Sequence, residues 1–174
     1  NEGELRYCIY SALAYGFKGI CYFCYATPEK VFSGCAVEFD GSVNKERFAL
    51  LKKVNKDIST LGPVLMALTS RRVYHTEPLP KGTQGIPSDG RIRSFSRGEW
   101  VVGEMQGRLG SYVMVANRDC GKSQKASVHW SPDIKAVYRV SPRNLALEPI
   151  ALAKGKTSAI NLDPGDGALF CVIQ

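Results

Sequence analysis

The sequence predicts an α/β unit followed by an all-β antiparallel sandwich, and two observations lead to this fold class. The N-terminal third of the 174 residues has the pattern helix–strand–helix, and its strand is apolar on both faces, as in parallel sheets. The C-terminal half consists of short segments with strand propensity, separated by Gly, Pro and Asp turns, which is typical of antiparallel sandwiches. We therefore predict an α/β part over 1–68, a connector over 69–92 and a β-sandwich domain over 93–174.

The first predicted helix and strand adjoin one another. The segment NEGELRYCIYSALAYG predicts an amphipathic helix, because Leu5, Ile9 and Leu13 recur at four-residue spacing. Gly16 is a natural end for this helix, since glycine tolerates the left-handed conformation. The segment GICYFCY, residues 19–25, then predicts a strand that must be covered on both faces.

The remaining elements follow in order. A second helix is predicted over 44–61, with one apolar stripe and an end at Gly62 and Pro63. The Pro- and Gly-rich segment HTEPLPKGTQGIPSDG, residues 75–90, predicts a long surface loop. The strands predicted after it are the segments EWVVGEM, SYVMVANRD, KASVHWS, KAVYRV, TSAINL and GALFCVI.

The strand at 19–25 lacks obvious neighbours. Parallel strands are joined by helical crossovers, and this chain contains only one helix–strand–helix unit. Its backbone donors and acceptors need partners if they are buried. Either the strand joins the later sheet, or its neighbours lie upstream of Asn1. We favour the second alternative, which predicts a longer protein with a missing upstream barrel segment.

Three segments resemble the end of the catalytic barrel in bacterial family 42-like glycoside hydrolases of the β-galactosidase-type clan A. They are LRYCIYSALAYGFKGICYFCYATPE, FDGSVNKERFALLKKVNKDISTLGPVLMAL and VYHTEPLP. The segments YVMVANRD and PGDGALFCV resemble the small β-sandwich that follows this barrel. The resemblance implies that the α/β part is the last α/β units of a TIM barrel. Residues 4–16 would be its seventh helix, 19–25 its eighth strand and 44–61 its eighth helix.

The resemblance also implies a substrate-binding site. Active sites of such barrels lie at the C-terminal ends of the strands. Tyr25, Ala26, Thr27 and Glu29 would therefore line the rim of a sugar pocket, with a carbohydrate as substrate.

The reaction implied is hydrolysis of glycosidic bonds by two carboxylates. In the family, both carboxylates lie at the ends of earlier strands, which places them upstream of this chain. We therefore assign no catalytic residue here, and we predict that this chain alone is inactive. Glu2 and Glu4 occupy the start of a helix, where the dipole favours acidic side chains. The alternative function is a non-catalytic β-sandwich module that binds carbohydrate or has a structural role.

No metal or cofactor site is predicted. Cys21 and Cys24 form a CxxC, but residues three apart in a strand point to opposite faces. No second CxxC or His pair supplies the remaining ligands of a zinc site. We therefore predict that the six cysteines are buried free thiols.

Two other partner classes are not expected. The formal net charge of +7 is moderate, and no nucleic-acid-binding motif accompanies the basic residues. No apolar run approaches the roughly 20 residues needed to cross a bilayer. The sequence predicts a soluble protein and leaves open whether it is cytoplasmic, periplasmic or secreted, as it does the oligomeric state.

Three further side chains suggest structural roles. His75 precedes the predicted surface loop, and we expect it to make a structural hydrogen bond. Trp100 and Trp130 are expected in the core of the sandwich, where tryptophan is needed for packing, rather than on a sugar-binding surface.

Overall fold

A computed structural model describes residues 1–30, 34–108 and 110–174. The described residues form two helices and nine strands in a small α+β fold. The helices are α1 (Glu2–Ala14) and α2 (Lys45–Met66). The strands are β1 (Thr69–His75), β2 (Ile92–Phe95), β3 (Trp100–Gly107), β4 (Gly110–Asn117), β5 (Gln124–Trp130), β6 (Ala136–Val140), β7 (Leu147–Ile150), β8 (Thr157–Leu162) and β9 (Gly167–Ile173).

Two antiparallel sheets form the body of the protein. The first has six strands in the order β1-β3-β4-β9-β6-β7, and the second has three in the order β2-β5-β8. An apolar core that includes Trp100, Trp130 and Phe170 lies between the sheets. A second apolar cluster joins α1 and α2 to the outer face of the six-stranded sheet through residues such as Leu13 and Met105. The protein is therefore layered as helices, large sheet and small sheet.

The first helix agrees with the prediction. The Asn1 side chain accepts a hydrogen bond from the Glu4 backbone N–H at 2.9 Å, and the Glu4 carboxylate accepts one from the Asn1 ammonium group, which completes a capping box. Gly16 has φ of +88° and lies just after the last turn, as a C-terminal glycine does. These end signals confirm the predicted helix, with bounds of Glu2–Ala14.

The second helix is longer than predicted. Asn44 caps its start by accepting a bond from the Arg47 N–H at 3.0 Å, but the helix continues past Pro63 to Met66. The predicted end at Gly62 and Pro63 is therefore wrong. The ammonium group of Lys18 donates to the carbonyl oxygens of Leu65 and Leu68, which satisfies acceptors at the C-terminal end. Neither α1 nor α2, the helices of the described ranges, has both the length and the apolar character needed to cross a bilayer.

The predicted sandwich strands are confirmed, and three others were missed. The six predicted segments correspond to β3, β4, β5, β6, β8 and β9. The missed strands are β1, which lies where a connector was predicted, and the four-residue strands β2 and β7. Adjacent arginines in β1 and Pro149 in β7 weaken the strand pattern of these segments.

The predicted remnant of a TIM barrel is wrong. The described residues show two antiparallel sheets with only two helices, and no alternating α/β units are evident among them. Residues 19–25 form no strand and do not join the later sheets; the adjacent Ala26 makes an isolated parallel bridge with Val37. The segment lies beside α2 instead, where the Tyr22 hydroxyl donates to Asn55 Oδ1 at 2.6 Å. The segment is apolar but not fully buried: Phe23 is 99% exposed, and Ile20 and Tyr22 are partly buried.

The cysteines are free thiols, as predicted, but most of them are not buried. Cys171 is buried in the core, whereas Cys8 and Cys21 are exposed and Cys24 is partly exposed. The prediction of burial failed for Cys21 and Cys24 because it assumed that their segment was a strand inside a sheet.

Candidate functional site

The predicted substrate-binding residues lie on a loop between the helices. The Thr27 N–H donates to the Val37 carbonyl at 2.8 Å, and the Val37 N–H donates to the Tyr25 carbonyl at 3.1 Å. These two bonds hold the backbone on both sides of Ala26. The Tyr25 side chain is 67% exposed, Ala26 and Glu29 are exposed, and Thr27 is buried. The structure therefore presents Tyr25, Ala26 and Glu29 to solvent and uses Thr27 as an internal anchor.

Glu38 connects this loop to the second helix. Its Oε1 accepts a bond from Asn44 Nδ2 at 2.7 Å, and its Oε2 lies 3.5 Å from the Thr27 hydroxyl. Because Asn44 also caps α2, the loop is tied to the first turn of that helix. Glu38 was not among the predicted site residues. The signal for it was its position just before the Asp-Gly turn at Asp40.

Asp40 has a local structural role. Its Oδ1 accepts a hydrogen bond from the Ser42 N–H at 2.9 Å. Hydrogen bonding from the Ser42 side chain, followed by this backbone bond, holds the pKa of the Asp40 carboxyl below its usual value. The carboxylate therefore stays ionised and stabilises the turn, which suits it poorly to act as a proton donor.

The segment between the helices carries exposed aromatic rings. Phe23 and Phe39 are exposed together with Tyr25, and the Lys30 ammonium lies 5.9 Å from the centre of the Phe39 ring. Aromatic faces with carboxylates nearby can contact a pyranose ring, whose C–H groups pack on the ring while its hydroxyls bond to the oxygens. The arrangement is an open surface.

A separate apolar groove of about 450 Å³ lies between residues 17–22 and α2. Leu13, Phe17, Ile20, Ile58 and Leu65 contribute to its lining. Its lining contains few groups able to assist a chemical step, and it is adjacent to the exposed side chain of Met66. Exposed apolar surfaces of this kind occur at protein–protein contacts and in ligand-binding grooves.

Glu2 and Glu4 lie in the first turn of α1, as predicted, and both also have hydrogen-bond partners. Glu2 accepts a bond from Arg6 Nε at 2.7 Å, and this bond is the main cause that lowers the pKa of the Glu2 carboxyl. Glu4 completes the capping box of α1. In the ranges 1–30, 34–108 and 110–174, no cluster of three or more His, Cys, Asp or Glu side chains has an arrangement able to hold a metal ion.

His75 makes the structural hydrogen bond that the sequence suggested. Its Nε2 lies 2.9 Å from the Tyr15 hydroxyl, which links β1 to the C-terminal end of α1. The residue is only 4% exposed, and its Nδ1 is buried without a hydrogen-bond partner among the described atoms. Burial, followed by the positive charge of Arg118, lowers the pKa of His75 below its ordinary value of 6.5.

We expect this histidine to make the fold less stable in mild acid. A lowered native pKa means that the unfolded chain binds more protons in the window just below about pH 6.5, so stability is lost as the pH falls through it. His75→Gln should reduce the loss of unfolding free energy between about pH 7.5 and pH 5.5, measured by urea denaturation. His129→Gln, at an exposed position in β5, is the matched control. Equal pH dependence in the wild type and both variants would contradict this assignment.

The two tryptophans lie in the core, as predicted. Trp100 is 0% exposed and its indole N–H donates to the Arg97 carbonyl at 2.8 Å. Trp130 is also buried, and its indole N–H donates to the Ser158 hydroxyl at 2.8 Å. Neither buried ring offers a face to a ligand.

Comparison with known proteins assigns no family to the chain. No protein-family model matches the sequence. No curated protein matches it either.

Proposed function

We propose that this chain is a non-catalytic, carbohydrate-contacting part of a glycoside hydrolase, as its resemblance to the family 42-like enzymes implies. The observation that supports sugar contact is the Tyr25 ring, which is exposed on a loop that two backbone hydrogen bonds and Glu38 hold in place. A ring on a fixed backbone loses little conformational freedom when a ligand packs on it.

The proposed contact combines an apolar ring with a polar carboxylate. The Tyr25 ring packs on the C–H face of a sugar, and the exposed Glu29 carboxylate accepts hydrogen bonds from its hydroxyls. Hydrolysis requires two carboxyl groups about 5 Å apart in a retaining enzyme. The family resemblance implies that these groups lie in a segment upstream of this chain, and Glu2 and Glu4 are engaged in an ion pair and a helix cap.

Tyr25→Ala is expected to weaken binding of β-1,4-galactotetraose by about tenfold or more, because the stacking surface is lost. Isothermal titration calorimetry on the folded chain measures this change. Leu147→Ala, which truncates an exposed side chain in β7, should leave the affinity unchanged. Equal affinities of wild type and Tyr25→Ala would contradict the sugar contact. Hydrolysis of p-nitrophenyl β-galactoside by this chain alone would contradict the non-catalytic role.

A second candidate is a self-contained carbohydrate-binding or structural module. It is favoured by the close packing of α1 on the six-stranded sheet, where the helix behaves as a cap of the sandwich. The mass of the native protein distinguishes the two candidates. A native chain of 19.1 kDa would support the module, whereas a much larger chain would support the part of a hydrolase.

A further inference from the structure

A groove of about 380 Å³ lies on the sandwich, between the segment that follows β1 and the turn that follows β2. One wall contains Glu77, Leu79 and Ile86, and the other contains Ser94, Phe95 and Arg97. Its volume is within the range of roughly 300–1,000 Å³ that small-molecule sites occupy. None of these side chains belongs to the loop around Tyr25.

The two walls are connected before any ligand binds. The Thr76 hydroxyl donates to the Gly98 carbonyl at 3.0 Å and accepts from the Trp100 N–H at 2.7 Å. The Phe95 ring stacks on the buried Trp100 ring, with centroids 5.4 Å apart and planes inclined by 21°. The groove is therefore preorganised, and its aromatic wall is supported from behind by the core.

Polar groups with spare hydrogen-bonding capacity border the Phe95 ring. Arg97 uses its Nε to donate to the Lys125 carbonyl at 2.9 Å, and its two terminal nitrogens have no partner among the described residues. Glu77 accepts from the Leu79 N–H at 3.0 Å through one oxygen, and within the described ranges its other oxygen is unpaired. The Ser94 hydroxyl likewise has no partner in the described part of the chain. Donors, acceptors and an aromatic ring thus line one cavity.

We propose that this groove binds one neutral pyranose unit of an oligosaccharide, as a second carbohydrate contact apart from Tyr25. The charges of Glu77 and Arg97 cancel, which favours a neutral polar ligand over an anion or a cation. A sugar hydroxyl both donates and accepts, so it matches a carboxylate and a guanidinium at the same time. The proposal rests on the proposed function for the choice of a sugar as ligand.

A peptide fits the groove less well. An extended peptide that adds to the edge of a sheet binds largely through main-chain hydrogen bonds. The backbone at this wall is already paired, because the His75 N–H donates to the Gln84 carbonyl at 2.8 Å and the Thr76 N–H donates to the Trp100 carbonyl at 3.1 Å. The groove can therefore bind a ligand through side-chain hydrogen bonds and ring stacking, which are the contacts that a sugar makes.

The test is a titration of the ¹⁵N-labelled chain with β-1,4-galactotetraose and, separately, cellotetraose, followed by amide shifts. Amides of residues 76, 77, 79 and 94–98 should move, and Arg97→Gln should weaken this response about tenfold, since a charge-assisted hydrogen bond is lost. Glu77→Gln should weaken it in the same direction. Arg71→Gln removes an exposed charge from β1 and serves as the control, with unchanged affinity expected.

The site-resolved shifts separate this proposal from the sugar contact at Tyr25. Shifts at the groove that persist in Tyr25→Ala would support the groove, whatever happens at the loop. Shifts confined to residues 23–29 would overturn the groove and leave the proposed function intact. If neither sugar shifted the amides of the groove or of residues 23–29, both proposed sugar contacts would be overturned. Shifts at the groove that a proline-rich peptide produces and neither sugar does would overturn the choice of ligand.

Discussion

Glu104→Gln is expected to lower the free energy of unfolding by about 3–5 kcal/mol, because it leaves buried positive charge without its counter-charge. Glu104 lies in the centre of β3 and is 0% exposed. Its carboxylate accepts bonds from Arg72 Nε at 2.9 Å, Arg91 Nη1 at 2.8 Å and the Tyr74 hydroxyl at 3.1 Å. It also accepts from the Arg91 backbone N–H at 2.6 Å. A neutral amide keeps the shape but loses the charge and part of the acceptor capacity.

Urea denaturation at neutral pH measures this loss, and a matched control is available. Glu148→Gln removes the charge of an exposed glutamate in β7, so we expect a change within about 0.5 kcal/mol. Asp89 also pairs with Arg72 at 2.8 Å and can retain that arginine, but Arg91 has Glu104 as its one carboxylate partner in the described ranges. If Glu104→Gln were as stable as Glu148→Gln, the buried cluster would not contribute to folding.

Gly103→Ala is expected to cost about 3 kcal/mol, because it forces α1 away from the sheet. Gly103 precedes Glu104 in β3, so it faces the opposite side, toward the helix. A Cβ atom at this position would lie 1.9 Å from the carbonyl oxygen of Ala14 and 2.9 Å from its Cα. Both are backbone atoms, which a rotation of a side chain cannot remove from the clash.

Two measurements distinguish displaced packing from a general effect of adding a methyl group. Thermal or urea denaturation gives the change in stability, and hydrogen exchange should become faster at the amides of α1. Gly19→Ala is the control, since a Cβ at that exposed position has no atom within 4 Å. Unchanged exchange in α1 of a folded Gly103→Ala variant would contradict the close approach of helix and sheet.

The candidate site was only partly predictable. Tyr25, Ala26, Thr27 and Glu29 were named because the family resemblance puts them at the end of a barrel strand. In the structure Tyr25, Ala26 and Glu29 are exposed, whereas Thr27 is buried. Their connection to Glu38 and Asn44 was not predictable, because the bridge between Ala26 and Val37 is a contact between separate segments. The groove lined by Phe95 and Arg97 was not predicted either. It forms only where the segment after β1 lies against the turn after β2, which is again a contact between separate segments.

Within the described ranges, local patterns in the sequence by themselves determined both helices and six of the nine strands. Helix and strand periodicity, the caps at Asn44 and Gly16 and the turn residues act over a few positions, so they can be recognised in one segment at a time. Only the tertiary structure decided whether residues 19–25 became a strand, because pairing requires another backbone at the right distance. The segment has the composition of a buried strand, but in this fold it lies beside α2 with Phe23 exposed. The charge cluster of Glu104 likewise exists only because β1, β3 and the approach to β2 meet in space.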